Sequence, residues 1–304
     1  MSLAPLVVVN PAAGGGRALR SVAWLRERLA TRPDVRLEIT RRRGDAEALA
    51  ADAARGGHDR VIAVGGDGTV QEVVNGLLEA GAGAAMGIVP LGSGNDLARS
   101  LGLPSELSSA WRIAIGHETR RIDVAHARNG TGDQRWFASA GGIGFDAQVA
   151  AAMADRSGWQ AGRAGYLLTT LAELRRFDNR RVRLTIDGTT ESMDVLFVAL
   201  TNGAFYGGGM RIAPEAVIDD GQLDVCVVGD ISRLTVLRQL PNLYRGTHVN
   251  HPAVSMRSGT RIEADGDAGT LIHLDGEPFG HLPLNVTISQ RVLAVASARQ
   301  VGLG

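Results

Sequence analysis

Apolar residues follow two different rhythms along this chain. Up to about residue 121, short continuous apolar runs alternate with stretches in which apolar positions recur every three or four residues. Residues 6–9 read as a strand buried on both faces, and a helix is expected from about Ala18, with Leu19, Val22, Leu25 and Leu29 on one face. The same reading predicts strands at 35–40, 61–64 and 86–89. It places an alanine-rich helix at 45–55, a helix at 70–80 and a short one at 95–101. Strands alternating with amphipathic helices predict an α/β fold with a parallel sheet covered on both faces.

Beyond residue 121 the period changes from helical to strand-like. Val182, Leu184 and Ile186 alternate with charged or polar neighbours, as in a half-exposed strand. Further strands are expected at 136–140, 195–201, 223–228, 260–264, 270–274, 284–289 and 291–296, with helical insertions near 162–177 and 232–245. This is antiparallel territory and predicts a β-sandwich. The shift near residue 122 divides the chain into 1–122 and 123–304. The chain shows no internal repeat, low-complexity tract or long linker.

Composition narrows the chemistry. A chain of 304 residues with 44% hydrophobic side chains is long enough for two domains, each with its own core. The 32 basic and 32 acidic residues balance to zero, which argues against a nucleic-acid partner. Cys226 is the single cysteine, so no internal disulfide forms; its place in an apolar run predicts a buried, inert thiol. The first residues lack the charged region of a signal peptide, and no apolar run reaches the ~20 residues of a membrane-spanning helix. A cytosolic protein is expected, one still able to touch a membrane surface. Most restrictive of all, the chain has no lysine: all 32 basic side chains are arginine. That removes the Walker A phosphate loop, the protein-kinase strand lysine and Schiff-base chemistry. Phosphate binding must then rest on backbone N–H groups, arginine or a metal ion.

Three expected strands of the first half end in glycine-rich turns that open helices: Asn10-Pro11-Ala12-Ala13-Gly14-Gly15-Gly16, Gly65-Gly66-Asp67-Gly68-Thr69 and Gly92-Ser93-Gly94-Asn95-Asp96. In a parallel sheet such turns gather at the carboxyl edge, where open α/β folds bind ligands. Helix N-termini there offer unpaired N–H groups to phosphate. Tight turns alone would account for any single one of them, and Thr69 with Glu72 fits a capping box that requires no ligand. Asp67 stands out because a carboxylate between glycines at a strand end packs nothing, whereas it can hold a magnesium ion bridging phosphate oxygens.

Val64-Gly65-Gly66-Asp67-Gly68-Thr69 resembles the nucleotide motif shared by diacylglycerol, sphingosine and NAD kinases and phosphofructokinases. Residues 90–98, Pro-Leu-Gly-Ser-Gly-Asn-Asp-Leu-Ala, are similar to the lipid-kinase version of the next motif, where NAD kinases differ. Asn10-Pro11, Gly141-Gly142-Ile143-Gly144-Phe145-Asp146 and Leu274-Asp275-Gly276-Glu277 complete the match in order. The chain thus resembles the bacterial branch of the diacylglycerol and lipid kinase family over nearly its whole length.

The resemblance implies a nucleotide-binding domain at 1–122 and a β-sandwich acceptor domain at 123–304. ATP would be lined by Asn10, Pro11, Ala12, Ala13, Gly14, Thr40, Gly66, Asp67, Gly68, Thr69, Glu72 and Ser93, the last a serine where the family often has threonine. Glu277 would be the base that activates the acceptor hydroxyl, with Asp67 the second catalytic residue. A structural magnesium site would use the Asp220 side chain and the carbonyls of Val217 and Gln222. Asp275-Gly276 and Asp219-Asp220-Gly221 are also good turn sequences, so the residues themselves fit plain turns equally well.

Some features stand outside this match. Arg41-Arg42-Arg43 suits phosphate, an anionic membrane or a solvated loop. Tyr206-Gly207-Gly208-Gly209 suits a mobile flap or a bulge. The seven histidines show no zinc spacing.

The expected reaction is ATP- and Mg2+-dependent phosphorylation of a lipid hydroxyl in the cleft between the domains. Diacylglycerol giving phosphatidic acid leads, which places the chain in phospholipid biosynthesis. A sphingoid base or another lipid alcohol comes next, then NAD, then a binding regulator without catalysis. The lipid would be met at a membrane surface through residues 159–177, which carry Trp159, Tyr166, Leu167, Leu171, Leu174, Arg163, Arg175 and Arg176, or through residues 234–244. Pairing as a homodimer stays open.

Overall fold

In the computed structural model, which describes residues 3–154 and 163–298, the early apolar runs become parallel strands. These are β1 (Leu6–Val9), β2 (Arg36–Ile39), β3 (Arg60–Gly65) and β4 (Ala85–Pro90). They pair in the order β2-β1-β3-β4. Every residue of β1 and β3 is buried, which a parallel strand covered on both faces requires. The intervening helices are α1 (Ala13–Leu29), α2 (Asp45–Arg55), α3 (Asp67–Glu79), α4 (Asp96–Ser100) and α5 (Leu107–Ala114).

Two details of this first unit differ from expectation. The buried stripe of α1 is Ala18, Val22, Leu25 and Leu29, while Leu19 points to solvent. Ala18 precedes Val22 by four residues and so holds the face that Leu19, one position on, leaves. Helix α5 was not foreseen because eight residues are too few to show a period. Glu106 starts it, its carboxylate accepting the amides of Ser108 (2.9 Å) and Ser109 (2.7 Å), and Trp111 packs edge-on to Trp24.

The second unit is antiparallel. Its elements are β5 (Thr119–Asn129), β6 (Gln134–Phe137), β7 (Ala140–Gly144), α6 (Phe145–Ala154), α7 (Arg163–Leu174), β8 (Arg180–Ile186) and β9 (Thr189–Thr201). After these come β10 (Leu223–Gly229), α8 (Arg233–Arg245), β11 (Val254–Gly259), β12 (Arg261–Gly266), β13 (Leu271–Leu274), β14 (Glu277–His281) and β15 (Leu284–Ala296). Strand β9 is the spine, pairing with β7, β8 and β10. Its alternation serves two cores. Val198 and Leu200 join Val225 and Val227 of β10 on one face, while Phe197 and Ala199 join Cys226 and Val228 on the other. Burial and the neighbouring Asp146 charge push the Cys226 thiol up to about 12, so it is inert.

By compactness the units are residues 1–122 with 291–304, and residues 123–290. The expected strands 284–289 and 291–296 are one strand, β15. It pairs antiparallel with β12 at one end, while Val295 lies parallel to Met86 at the other. Among the described residues, 291–298 group with the first unit. The expected strand 136–140 is interrupted, because the amides of residues 138–140 all turn to the Asp275 carboxylate. Among the described residues, no helix is long and apolar enough to cross a membrane.

Candidate active site

Neighbouring parallel strands β1, β3 and β4 each end in one of the three glycine-rich turns, so the register of the sheet alone brings these turns together. Side chains then lock them. Asn10 donates from Nδ2 to Thr69 Oγ1 (3.0 Å) and accepts the Ala12 amide on Oδ1 (3.1 Å), tying the first turn to the second. Arg17 reaches from α1 to the Gly92 carbonyl (2.8 Å), tying the first to the third. The second and third touch backbone to backbone: a Cβ on Gly92 would lie 2.6 Å from the Cα of Gly66, so only glycine fits there.

Asp67 is the pivot. Its Oδ2 accepts the Asn95 amide and its Oδ1 the Asp96 amide, each at 2.7 Å. The expectation of a carboxylate that packs nothing is therefore corrected. Half-buried Asp67 holds the start of α4, taking N–H groups that the helix itself leaves unpaired. Burial pushes its carboxyl above the usual range, against the pull of the amides of Asn95, Asp96 and Asp67 itself and of the Arg99 charge. Asn95, in a left-handed conformation at φ 57°, brackets the turn by bonding both the amide (2.9 Å) and the carbonyl (3.0 Å) of Gly92. Arg99 donates from Nε to the Gly94 carbonyl (2.7 Å). Two arginines thus brace the glycine-rich turns of a lysine-free chain, a role hidden in the sequence because both lie outside the glycine motifs.

The other expected nucleotide residues fall around this platform with different duties. Pro11 and Ala12 form the turn after β1, and Ala13 and Gly14 lie in the opening of α1, where Gly14, Gly15 and Gly16 depart from helical dihedrals with positive φ. Thr40 is buried just beyond β2, its amide bonded to the Val9 carbonyl (2.9 Å). Gly66 is the N-cap of α3, Gly68 lies in its first turn, and Ser93 is exposed on the third turn. Glu72 does not form the expected capping box. Helix α3 begins two residues before Thr69, and the Glu72 carboxylate crosses to α2, accepting the amides of Gly44 (3.0 Å) and Ala46 (3.1 Å). Of the arginine run, Arg42 pairs with Asp45 (3.2 Å), and all three arginines are exposed.

Glu277 belongs to the second unit and opens β14, half-buried. The turn before it has φ 48° at Asp275 and 84° at Gly276, the two left-handed residues of a tight hairpin. Asp275 fixes that turn. Its carboxylate accepts three backbone amides, from Ala138 (3.1 Å), Ser139 (3.0 Å) and Ala140 (2.8 Å). Its own amide donates to the Ala140 carbonyl at 2.7 Å. The sequence shows Asp275 as part of the family motif and as turn chemistry; nothing local signals a bond to residues more than 130 positions away.

Val217, Asp220 and Gln222 lie on one loop before β10. Asp220 Oδ1 accepts the Gln222 amide (3.0 Å), and the buried Asp123 carboxylate takes the Gly221 amide (2.5 Å). Asp224, two residues beyond Gln222, is pushed up to about 6 by burial and by the negative charges of Asp220 and Glu215. That local excess of negative charge suits a cation. Among the described residues no three histidine, cysteine or acidic side chains cluster as a metal site, and the expected ligand set counts one carboxylate with two carbonyls.

Residues 4–127 match the family model for the diacylglycerol kinase catalytic domain, and residues 139–297 match that for the YegS C-terminal NAD kinase beta sandwich-like domain. A diacylglycerol kinase of Mycobacterium tuberculosis is 33% identical over 295 residues, covering 96% of this chain and 94% of that protein. A YegS-like protein of Chromohalobacter salexigens, named as a probable lipid kinase, is 32% identical over 86% of this chain and 83% of its own length. Among solved structures, a candidate diacylglycerol kinase from Bacillus anthracis superimposes with a TM-score of 0.82 at 26% identity, covering 99% of this chain and 97% of the other.

Proposed function

The chain belongs to the diacylglycerol and YegS-like lipid kinase family, and from that premise we propose that it transfers the γ-phosphate of ATP to the hydroxyl of diacylglycerol, giving phosphatidic acid. The observation that carries this reading is the interlocking of three glycine turns around Asp67, in a chain that also builds a rigid turn for the carboxylate of Glu277.

Phosphoryl transfer asks for positioning and for neutralised phosphate charge rather than elaborate covalent chemistry. The N–H groups of the three turns, with Asn10, Thr40, Thr69 and Ser93 around them, would receive the nucleotide. Arg17 and Arg99 would add positive charge from behind the third turn. Magnesium bound with the nucleotide would supply charge neutralisation. A carboxylate has about four lone-pair sites, so Asp67 retains acceptor capacity beyond its two amides for such an ion. Glu277 would take the proton of the acceptor hydroxyl as that oxygen forms its bond to the γ-phosphorus. The bond from phosphorus to the bridging oxygen breaks, and ADP leaves with the electron pair. A second magnesium, held by Asp220 and the carbonyls of Val217 and Gln222, would be structural.

An acceptor panel tests the reading. With γ-labelled ATP and Mg2+, label should pass to diacylglycerol in mixed micelles at least about tenfold faster than to sphingosine or NAD, a margin of roughly 1.4 kcal/mol. Faster labelling of another lipid alcohol would favour the broader reading suggested by the YegS-like relatives. No transfer to any acceptor would leave a binding regulator.

A further inference from the structure

Beneath the turn that carries Glu277 lies a buried polar cluster to which the mechanism above gives no work. Asp146 lies in the first turn of α6, Tyr206 opens the glycine loop, and His273 sits within β13. All three are buried, His273 to 1% exposure. Tyr206 Oη donates to Asp146 Oδ2 (2.9 Å), and His273 Nε2 lies 3.2 Å from Tyr206 Oη and 3.4 Å from Asp146 Oδ2. The phenol and imidazole rings stack, their centroids 5.6 Å apart. The Asp146 Oδ1 atom takes the Ala147 amide at 2.8 Å. A buried polar group left unpaired is costly, so the protons of this cluster can be assigned by satisfying each one.

The assignment turns on the other imidazole nitrogen. His273 Nδ1 accepts the Gly276 amide at 3.3 Å, so it carries a lone pair and the ring proton is on Nε2. That proton faces the Tyr206 oxygen and Asp146 Oδ2, while the Tyr206 proton goes to Asp146. Every donor then has an acceptor. Gly276 immediately precedes Glu277. The space for this arrangement is supplied by Gly142 on the neighbouring strand β7, where a Cβ would lie 1.9 Å from Asp146 Oδ2 and 2.4 Å from His273 Nε2. The cluster also anchors a second element. Tyr206 and Met210 exchange backbone hydrogen bonds of 2.9 Å each way, closing a loop whose three glycines, 207–209, all have positive φ.

We propose that His273 and Tyr206 are positioning residues for Glu277: Asp146 holds His273 in its Nε2–H form, and the free Nδ1 lone pair fixes the Gly276 amide, and with it the turn that aims the carboxylate. The inference rests on the reading of Glu277 as the base. Two carboxylates hold the same turn, Asp275 by the amides of residues 138–140 and Asp146 through His273. Tyr206 adds the glycine loop to the clamp, so the loop and the turn share one anchor.

The experiment uses the full chain with ATP, Mg2+ and diacylglycerol in mixed micelles, and follows hydrogen exchange at the Gly276 amide in the same variants. His273→Ala should lower kcat by about 100-fold, the order expected when a catalytic group is misplaced by an ångström, with the KM for ATP unchanged within about twofold. The Gly276 amide should exchange faster. His273→Asn, whose Oδ1 can occupy the Nδ1 position, should regain about tenfold of kcat and restore Gly276 protection, although both variants lose packing. Tyr206→Phe should fall between the parent and His273→Ala. Equal kcat losses in the alanine and asparagine variants would overturn the proposal, because they would follow packing alone. So would an unchanged Gly276 exchange rate in His273→Ala, whatever the enzyme does. Full activity of Glu277→Gln would instead remove the base on which the inference rests, and the Gly276 exchange would still decide whether His273 holds the turn.

Discussion

Carboxylates used as backbone clamps set the character of this molecule at the residue scale. Asp67, Glu72, Asp123 and Asp275 each accept main-chain N–H groups, and each thereby fixes a loop that local sequence leaves free. The clamp at Asp67 changes what its removal should do. A carboxylate that only met magnesium could be lost with the fold untouched. Asp67→Ala instead orphans the amides of Asn95 and Asp96, so it should both abolish transfer and lower stability by about 2 kcal/mol. Chemical denaturation checks this, and an unchanged midpoint would mean that water satisfies both amides. Asp224 gives a second test. Its carboxyl stands at about 6 in the fold against an ordinary 3.8, so folding takes up a proton between those values. The resulting stability is complete below pH 4 and is lost as pH rises through 6. Melting curves should show that slope in the parent and not in Asp224→Asn, which should melt higher at pH 7.5. If the Asp220 loop holds magnesium, the ion should raise the parent melting point at pH 7.5 and leave Asp220→Asn unmoved. Equal responses would identify the loop as plain turn chemistry.

At the scale of elements, α7 and α8 separate two candidate membrane surfaces. Leu174 at the end of α7 and Phe177 after it are buried in the core with Phe145 and Phe197, so the expected docking role fails for them. Trp159 lies outside the described residues, as do the side chains of Arg163, Tyr166 and Leu167. Helix α8 behaves differently. Leu234, Leu237, Pro241 and Tyr244 recur at a spacing of three and four residues and are all exposed, flanked by Arg233, Arg238 and Arg245 with no acidic residue on the helix. Such a stripe suits an anionic lipid surface. Leu234→Gln with Leu237→Gln should leave the melting point within about 1 °C, because both side chains already face water. Binding to phosphatidylglycerol vesicles should fall roughly 30-fold, taking about 1 kcal/mol for each half-inserted leucine. Retention of full vesicle binding would remove α8 from the docking surface. Legibility divides along the same line of scale. Strands β1, β3, β4 and β10 showed in the sequence because continuous apolar runs bounded by turns leave little choice, and the three glycine turns followed from their ends. Helices α5 and α6 were hidden, one by shortness and the other because Phe145–Ala154 is apolar nearly all round. The exposed Leu19 shows the same limit from the other side: a period fixes that a helix has a face, and packing decides which residues lie on it. The duties of Glu72, Arg17, Arg99 and the Asp146–Tyr206–His273 cluster were invisible because each depends on a tertiary bond.

At the scale of the whole molecule, the proposed function divides the labour of a lipid-kinase family member between its two units. On the proposed function, the first unit would receive ATP on glycine turns braced by arginine, in a chain without lysine, and the second would supply the base. This fits a family match that spans both units, with Asp67 and Glu277 on turns held by carboxylate-to-amide hydrogen bonds. It also predicts that the two carboxylates fail in different ways. Loss of Asp67 disturbs the platform and the fold, whereas Glu277→Gln preserves size and shape and removes only the proton acceptor. The most direct measurement is therefore single-turnover transfer of label from γ-labelled ATP to diacylglycerol, comparing the parent with Glu277→Gln at saturating ATP and Mg2+. The parent should yield labelled phosphatidic acid, and Glu277→Gln should be slower by about 1,000-fold while binding ATP with unchanged affinity. Label released only as inorganic phosphate, or a Glu277→Gln variant as fast as the parent, would contradict the account.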